Sequence, residues 1–90
     1  MDKIWEEIVN FSDEYFPNWR NRILIYFTNA LAGEVGELCN LIKHYHGGGT
    51  RRQREIKRES FALEAVDILI YLVLFLEAAG ISRERFTEIF

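Results

Sequence analysis

The sequence predicts an all-α domain, a four-helix bundle spanning 1–90 as a single unit. Three observations carry that prediction. Apolar residues recur at three- and four-residue intervals through most of the chain. No Val/Ile/Thr-rich alternating run bounded by turns is present, so no strand is expected. The helix breakers are Pro17, the triplet Gly47-Gly48-Gly49 and Gly80, and they cut the 90 residues into four segments.

The first helix is expected from Asp2 to Tyr15, with Ile4, Trp5, Ile8, Val9 and Phe11 as its apolar stripe. Pro17 and Asn18 make a connection. The second is expected from Asn21 to Tyr45, with Ile23, Phe27, Leu31, Leu38, Leu41 and Tyr45 on one face at 100° per residue. The glycine triplet should stop it. Thr50-Arg51-Arg52-Gln53 has the form of a capping box, so a helical stretch should start there, with the main third helix running from Glu55 to Ala79. Gly80 stands where a left-handed residue closes a helix. Ser82 is a suitable N-cap for a last helix over 83–90, which is expected either to be short or to be cut off at Phe90.

The third helix is apolar on more than one side. Ile68, Tyr71 and Phe75 mark one face, and Val66, Leu69, Val73 and Leu76 another. A helix apolar all round must be covered all round. A domain of this size buries only about 60–65% of its unfolded surface. A partner subunit is therefore expected.

Composition narrows the function. The chain is 49% apolar and 28% charged, as folded proteins are. A formal net charge of −3 argues against a nucleic-acid partner, which needs a basic face. The most apolar run, Ile68 to Leu76, is far short of the ~20 residues that span a bilayer, so no membrane partner is expected. The charged N-terminal segment does not read as a signal peptide, and a single cysteine, Cys39, expected to be a buried thiol, fits a reducing compartment. A cytoplasmic protein is expected.

The anomaly lies in the carboxylates. Glu34 falls in the middle of the second helix's apolar stripe, and Glu37 lies at its edge. Glu64 and Asp67 repeat the arrangement on the third helix, on the face of Ile68, Tyr71 and Phe75. Each pair has i, i+3 spacing, which places both carboxylates on one helical face. A short connection makes the two helices antiparallel neighbours, and both pairs lie ~12 Å from the turn at ~1.5 Å per residue. They should face each other. No Lys or Arg occupies either stripe, and buried like charges repel. A divalent cation would resolve the conflict, and an all-oxygen ligand set favours Mg2+ or Mn2+. The alternative is that individual carboxylates point to solvent.

The segment Ala30-Leu31-Ala32-Gly33-Glu34-Val35-Gly36-Glu37-Leu38, followed by Glu64-Ala65-Val66-Asp67-Ile68-Leu69-Ile70-Tyr71-Leu72, resembles the MazG-like all-α nucleoside triphosphate pyrophosphohydrolase family. The signature is E-x-x-E, a gap of some two dozen residues, then E-x-x-D, and the resemblance covers Phe27 to Phe86. It implies that Glu34, Glu37, Glu64 and Asp67 bind Mg2+ and serve catalysis. It implies release of pyrophosphate from a nucleoside triphosphate, and assembly as a homo-oligomer, dimer or tetramer. Members usually carry further basic or amide residues beyond the position of Phe90, which help hold phosphates.

Other residues are weaker candidates. Lys43 resembles a lysine often found after the family's E-x-x-E, but it lies half a turn out of phase with Glu34 and would serve its own site only if the helix unwound. It could serve a neighbouring subunit instead. Tyr71, one turn after Asp67, is placed either to reach a phosphate or sugar or to pack in the core. Arg51, Arg52, Arg54, Lys57 and Arg58 form a basic cluster that could draw in a triphosphate, or simply a solvated helix start. Trp5, Phe16 and Trp19 are expected in the core or an interface. His44 and His46 diverge on a helix and are too few for zinc. A diiron bundle would need E-x-x-H pairs, which are absent. A non-catalytic, metal-dependent nucleotide-binding or assembly module is the second functional expectation.

Overall fold

The computed structural model describes residues 2–45 and 50–90, and within them the side chains of all but 44, 45 and 51–57. Four α-helices fill these residues: α1 (Asp2–Tyr15), α2 (Leu24–Tyr45), α3 (Arg51–Ala78) and α4 (Arg83–Ile89). A single 3-10 turn, Trp19–Asn21, stands between α1 and α2, and no strand is present among the described residues. The all-α expectation holds.

α1 buries a narrower stripe than its sequence suggests. Trp5 and Ser12 are buried and Ile8 and Val9 half-buried, whereas Ile4 and Phe11 are 47% and 54% exposed. The inward line is therefore 5, 8, 9 and 12, with a serine at its last position. Polar contacts at three points fasten α1, the first between the Trp5 indole N–H and Glu77 of α3. Asp13 accepts from the Trp19 indole N–H at 2.8 Å and from Arg20 Nε at 3.3 Å, and these bonds hold its carboxyl below the usual carboxylate range. Arg83 of α4 donates to Glu6, across 77 positions of sequence.

α2 starts at Leu24, three residues later than expected. Trp19 is pulled into the core by its bond to Asp13, and Arg22 is extended (φ −72°, ψ 144°), so the helix cannot begin before it. Ile23 is thereby left outside the helix and 71% exposed, not on the buried stripe. From Phe27 onward the stripe is as expected: Phe27 is buried, and Ala30, Leu31, Glu34, Leu38 and Leu41 are half-buried. Cys39 is exposed rather than buried, because position 39 turns away from α3. The stop at Gly47-Gly48-Gly49 lies outside the described residues.

α3 begins at Arg51, straight after Thr50, where the capping box placed the start of a helical stretch, and runs without a break into the main helix expected from Glu55. The Gln53 side of the capping box falls outside the described side chains. At the other end Gly80 has φ +83°, and its N–H donates to the Glu77 carbonyl, the left-handed close expected of it. Ser82 caps α4 by accepting from the Arg85 N–H at 3.1 Å. The chain turns by 104° between α3 and α4.

α2 and α3 form an antiparallel hairpin. Phe27 meets Leu74 in the core, and Glu34 meets Glu64 nearer the loop, so positions rise on one helix as they fall on the other. With 22 and 28 residues, the two helices are ~33 and ~42 Å long. α1 and the Trp19 turn cover only the end away from the loop. There Trp19, Phe27 and Leu74 make the core, with Ile8, Val9, Ile70, Phe75 and Ala78 against it. The radius of gyration is 15.5 Å, against about 12 Å for a compact chain of this length. Of the third helix's second apolar face, Val73 belongs to the chain's own core at 1% exposure. Val66 of that face does not, at 53% exposure, and Leu63, which lies outside the expected face, is 64% exposed. No single helix is long and apolar enough to cross a membrane among the described residues.

Candidate metal centre

The hairpin brings three of the four expected carboxylates to one point. One oxygen each from Glu34, Glu37 and Glu64 lies within 4.8 Å of the other two. Glu34 and Glu64 are half-buried because they occupy inward positions of α2 and α3; Glu37, at the stripe's edge, is exposed. Asp67 is half-buried one turn further along α3. It is outside that trio of oxygens, but its charge acts on both Glu64 and Tyr71.

Glu64 carries the strain of the arrangement. Its Oε2 is shut off from solvent and has no hydrogen-bond partner. Its pKa is pushed up to about 7 from the usual 4.5. The largest cause is the Glu34 carboxyl, close enough to share a proton; burial comes next, then the charges of Glu37, Glu34 and Asp67. Without a proton or a cation, the trio would be three negative charges around an orphaned oxygen. Among the described side chains, no Lys or Arg pairs with any of the four.

These residues fit a hard divalent cation. The donors are all carboxylate oxygens, one of them buried and without a partner, and they converge from two rigid helices. Soft metals would look for thiolate or imidazole, and the one cysteine is exposed and takes no part.

Tyr71 links this centre to the rest of the chain. It is half-buried, and its phenol is raised above the usual range by burial first, then by Tyr26, Glu34 and Asp67. It also lines a recess of about 150 Å³ at the α1 end of the hairpin, with Phe11, Ser12, Phe16, Tyr26 and Phe27. Lys43 is exposed, and α2 continues unbroken past it to Tyr45, so it points away from its own centre. Of the basic cluster, Arg58 is exposed; Arg51, Arg52, Arg54 and Lys57 lie outside the described side chains. Trp5 and Trp19 are 2% and 5% exposed and are core residues, while Phe16 is 61% exposed at the mouth of the recess.

Tyr26 and Ser12 were not legible as residues that line the recess. Ser12 carried a faint signal, a hydroxyl at the fourth inward position of α1. Tyr26 carried none, since its place depends on the extended Arg22 that delays α2.

Comparison with family models, with curated proteins and with solved structures returns no match.

Proposed function

We propose that the chain is a Mg2+-dependent nucleoside triphosphate pyrophosphohydrolase of the MazG-like kind, with Mn2+ as a substitute ion, and that it works as a homo-oligomer. The observation that carries this reading is the buried, unpartnered Oε2 of Glu64 beside Glu34 and Glu37. The spacing of the two acidic pairs and their Gly-Glu-Val-Gly-Glu-Leu context support it from the sequence side.

In the reaction, water adds to phosphorus, one phosphoanhydride bond breaks, and nucleoside monophosphate and pyrophosphate leave. A cation held by Glu34, Glu37, Glu64 and Asp67 would supply charge neutralisation and a bound water of lowered pKa. The chain's own part is to converge these carboxylates and to accept the proton of that water. Any of the four carboxylates could take the second task by orienting that water or accepting its proton. Tyr71 stands next to Asp67's turn, within reach of a sugar or phosphate oxygen. Lys43, turned outward, would serve a neighbouring subunit.

Assembly is proposed from the exposed Leu63 and Val66 on α3. Light scattering at micromolar concentration should give at least a dimer, and Val66→Glu should dissociate it while leaving helix content intact.

One observation favours a second reading, a metal-dependent nucleotide-binding module without turnover. No described Lys or Arg stands by the carboxylates to hold a phosphate chain. Chromatographic separation of the products of triphosphates with Mg2+ decides between the two. Pyrophosphate and monophosphate support the enzyme. Orthophosphate with diphosphate, or no hydrolysis despite binding, rejects it.

A further inference from the structure

The outer face of α2 is unlike the solvent face of α1. α1 turns Asp2, Lys3, Glu6, Glu7, Asp13 and Glu14 to water within 14 residues. The 22 residues of α2 include only Glu34, Glu37 and Lys43 as charged side chains. Glu34 and Glu37 belong to the carboxylate centre, and Lys43 stands past Ile42. The exposed side of α2 from Ile25 to Ile42 is therefore without charge, although a surface helix ordinarily sets charged residues there. Ile25, Val35 and Ile42 are 58%, 41% and 43% exposed, and Thr28, Ala32 and Cys39 between them are exposed as well. These six positions alternate in steps of three and four residues and share an arc of about 100°, the pattern of a seam between paired helices. The Thr28 hydroxyl donates to the Ile25 carbonyl at 3.1 Å, so it needs no polar partner across the seam. Gly36 borders the seam, and a Cβ added to it would meet no atom within 4 Å.

We propose that this seam meets the same seam of a second copy, the two α2 helices antiparallel about a two-fold axis level with Gly33 and Glu34. It is a contact separate from the one proposed above on α3, and it is tested apart from that one. Symmetry is the first reason for a second copy. The seam reads Ile-Thr-Ala from one end and Ile-Cys-Val from the other. Antiparallel pairing therefore sets Ile25 against the partner's Ile42, Thr28 against the partner's Cys39, and Ala32 against the partner's Val35. Large side chains meet at the ends, two of similar size meet next, and the smallest meets a medium one at the centre. Charge is the second reason. An isologous contact sets a face against itself, so a charge on it would meet its own kind across the axis. A face without charge escapes that repulsion, whereas a different protein could answer charges with opposite ones. The third is close approach, since Gly36 offers no side chain to hold the two backbones apart. The seam is ~26 Å long. A pair of helices of that length buries less than the ~800 Å2 per partner of a free-standing interface. The contact is therefore weak by itself, and a covalent trap is the way to detect it.

The test places a cysteine opposite the one the chain already has. In the antiparallel contact the two copies of Cys39 stand ~16 Å apart along the axis, as do positions 28 and 39 within one chain. A disulfide needs its Cα atoms within about 7 Å, so neither pair can close. Thr28→Cys in the whole chain, under a mild oxidant, should cross-link two copies several-fold faster than the parent does. Peptide mapping should find position 28 joined to Cys39. Val35→Glu added to that variant should suppress the link while circular dichroism shows the helix content kept. Val66→Glu, which opens the α3 contact, should lower the mass in light scattering and leave the link in place. A Thr28→Cys chain that links no faster than the parent overturns the inference, and so does a link that survives Val35→Glu in a folded chain. A parent that links rapidly through Cys39 alone overturns the antiparallel arrangement. Loss of the link in Val66→Glu overturns α2 as a contact of its own. An unchanged mass in Val66→Glu, with the link still formed, rejects the α3 contact and keeps this one.

Discussion

Two glutamates on α3 sit in similar places with opposite fates. Glu77 and Glu64 are both half-buried on the helix that runs the length of the molecule. Glu77 is answered by the chain itself. Its Oε1 accepts from the Trp5 indole N–H at 2.7 Å, and its Oε2 lies 3.9 Å from Arg20 Nη1. Glu64 is answered by nothing: its neighbours are Glu34, Glu37 and Asp67, and its Oε2 is buried without a donor. At the α1 end the sequence supplied Trp5 and Arg20 to Glu77. At the hairpin's middle it supplied more acids. A carboxylate completed by the fold is part of the scaffold, and the one left incomplete beside its like is where a cation is proposed to bind.

A divalent cation is the largest test of this contrast. Mg2+ or Mn2+ should raise the unfolding midpoint, since a ligand that binds only the folded state at a hundred times its Kd adds about 2.7 kcal/mol. Glu64→Gln and Glu34→Gln should abolish the shift, while Glu77→Gln should keep it. In a turnover assay, Glu37→Ala or Glu64→Ala should lower the rate by orders of magnitude. An equal metal response in Glu64→Gln and the parent, followed by differential scanning fluorimetry, would remove the difference between the two glutamates.

Next in size is the scaffold glutamate. Glu77→Ala leaves the buried Trp5 indole N–H without its acceptor, and an unsatisfied buried donor costs about 1–3 kcal/mol. Urea unfolding should show that loss at every pH and with or without Mg2+. If Glu77→Ala is neutral, Trp5 has found another acceptor and Glu77 is not what fixes α1 on α3.

The pH dependence separates the two sites without a metal. Glu64 titrates near 7 in the fold and near 4.5 when unfolded. Between those values the folded state holds more protons than the unfolded one, so stability falls as pH rises through the window and levels off above it. The groups that set this slope are Glu34 and Glu37 from α2 and Asp67 from α3. Glu64→Gln should flatten that part of the profile, raise metal-free stability at pH 7, and leave the Glu77 region untouched. A profile unchanged by Glu64→Gln would show that the shared proton is elsewhere.

The same contrast explains what was legible in the sequence. Four helices, the Gly80 close and the Ser82 cap follow from local chemistry, and all are present. Glu34 and Glu64 could be placed because a carboxylate in an apolar stripe violates the helical period that surrounds it. Glu37 and Asp67 followed from their spacing. The aromatic end was harder. Trp19 enters the core through a bond to Asp13, a contact between a helix end and a 3-10 turn that no periodicity encodes. That bond delays α2, exposes Ile23 and sets Tyr26 at the recess. Cys39 was misjudged for a related reason: an apolar wheel shows which residues share a face, but not which face meets the chain's own core.

The smallest effect concerns the faces of α2 themselves. Gly33 and Gly36 flank Glu34 and Glu37 in sequence, yet they lie on the helix's exposed side, and a Cβ added at either would meet no atom within 4 Å. Within one chain nothing requires glycine there. Glycine inside a helix is worse than alanine by about 0.5–1 kcal/mol, so Gly33→Ala and Gly36→Ala should each stabilise an isolated chain by that amount. A close-packed partner would change the sign, because a methyl group pushes apart two helices that glycine lets approach. Urea midpoints measured at two protein concentrations distinguish the cases. A gain of equal size at both concentrations marks the outer face of α2 as open, and assembly then belongs to Leu63 and Val66 on α3. A gain at low concentration that becomes a loss at high concentration, with a weaker dimer in sedimentation, places the outer face of α2 in the interface. In that case one turn of α2 presents its acids inward to α3 and its glycines outward to a second copy.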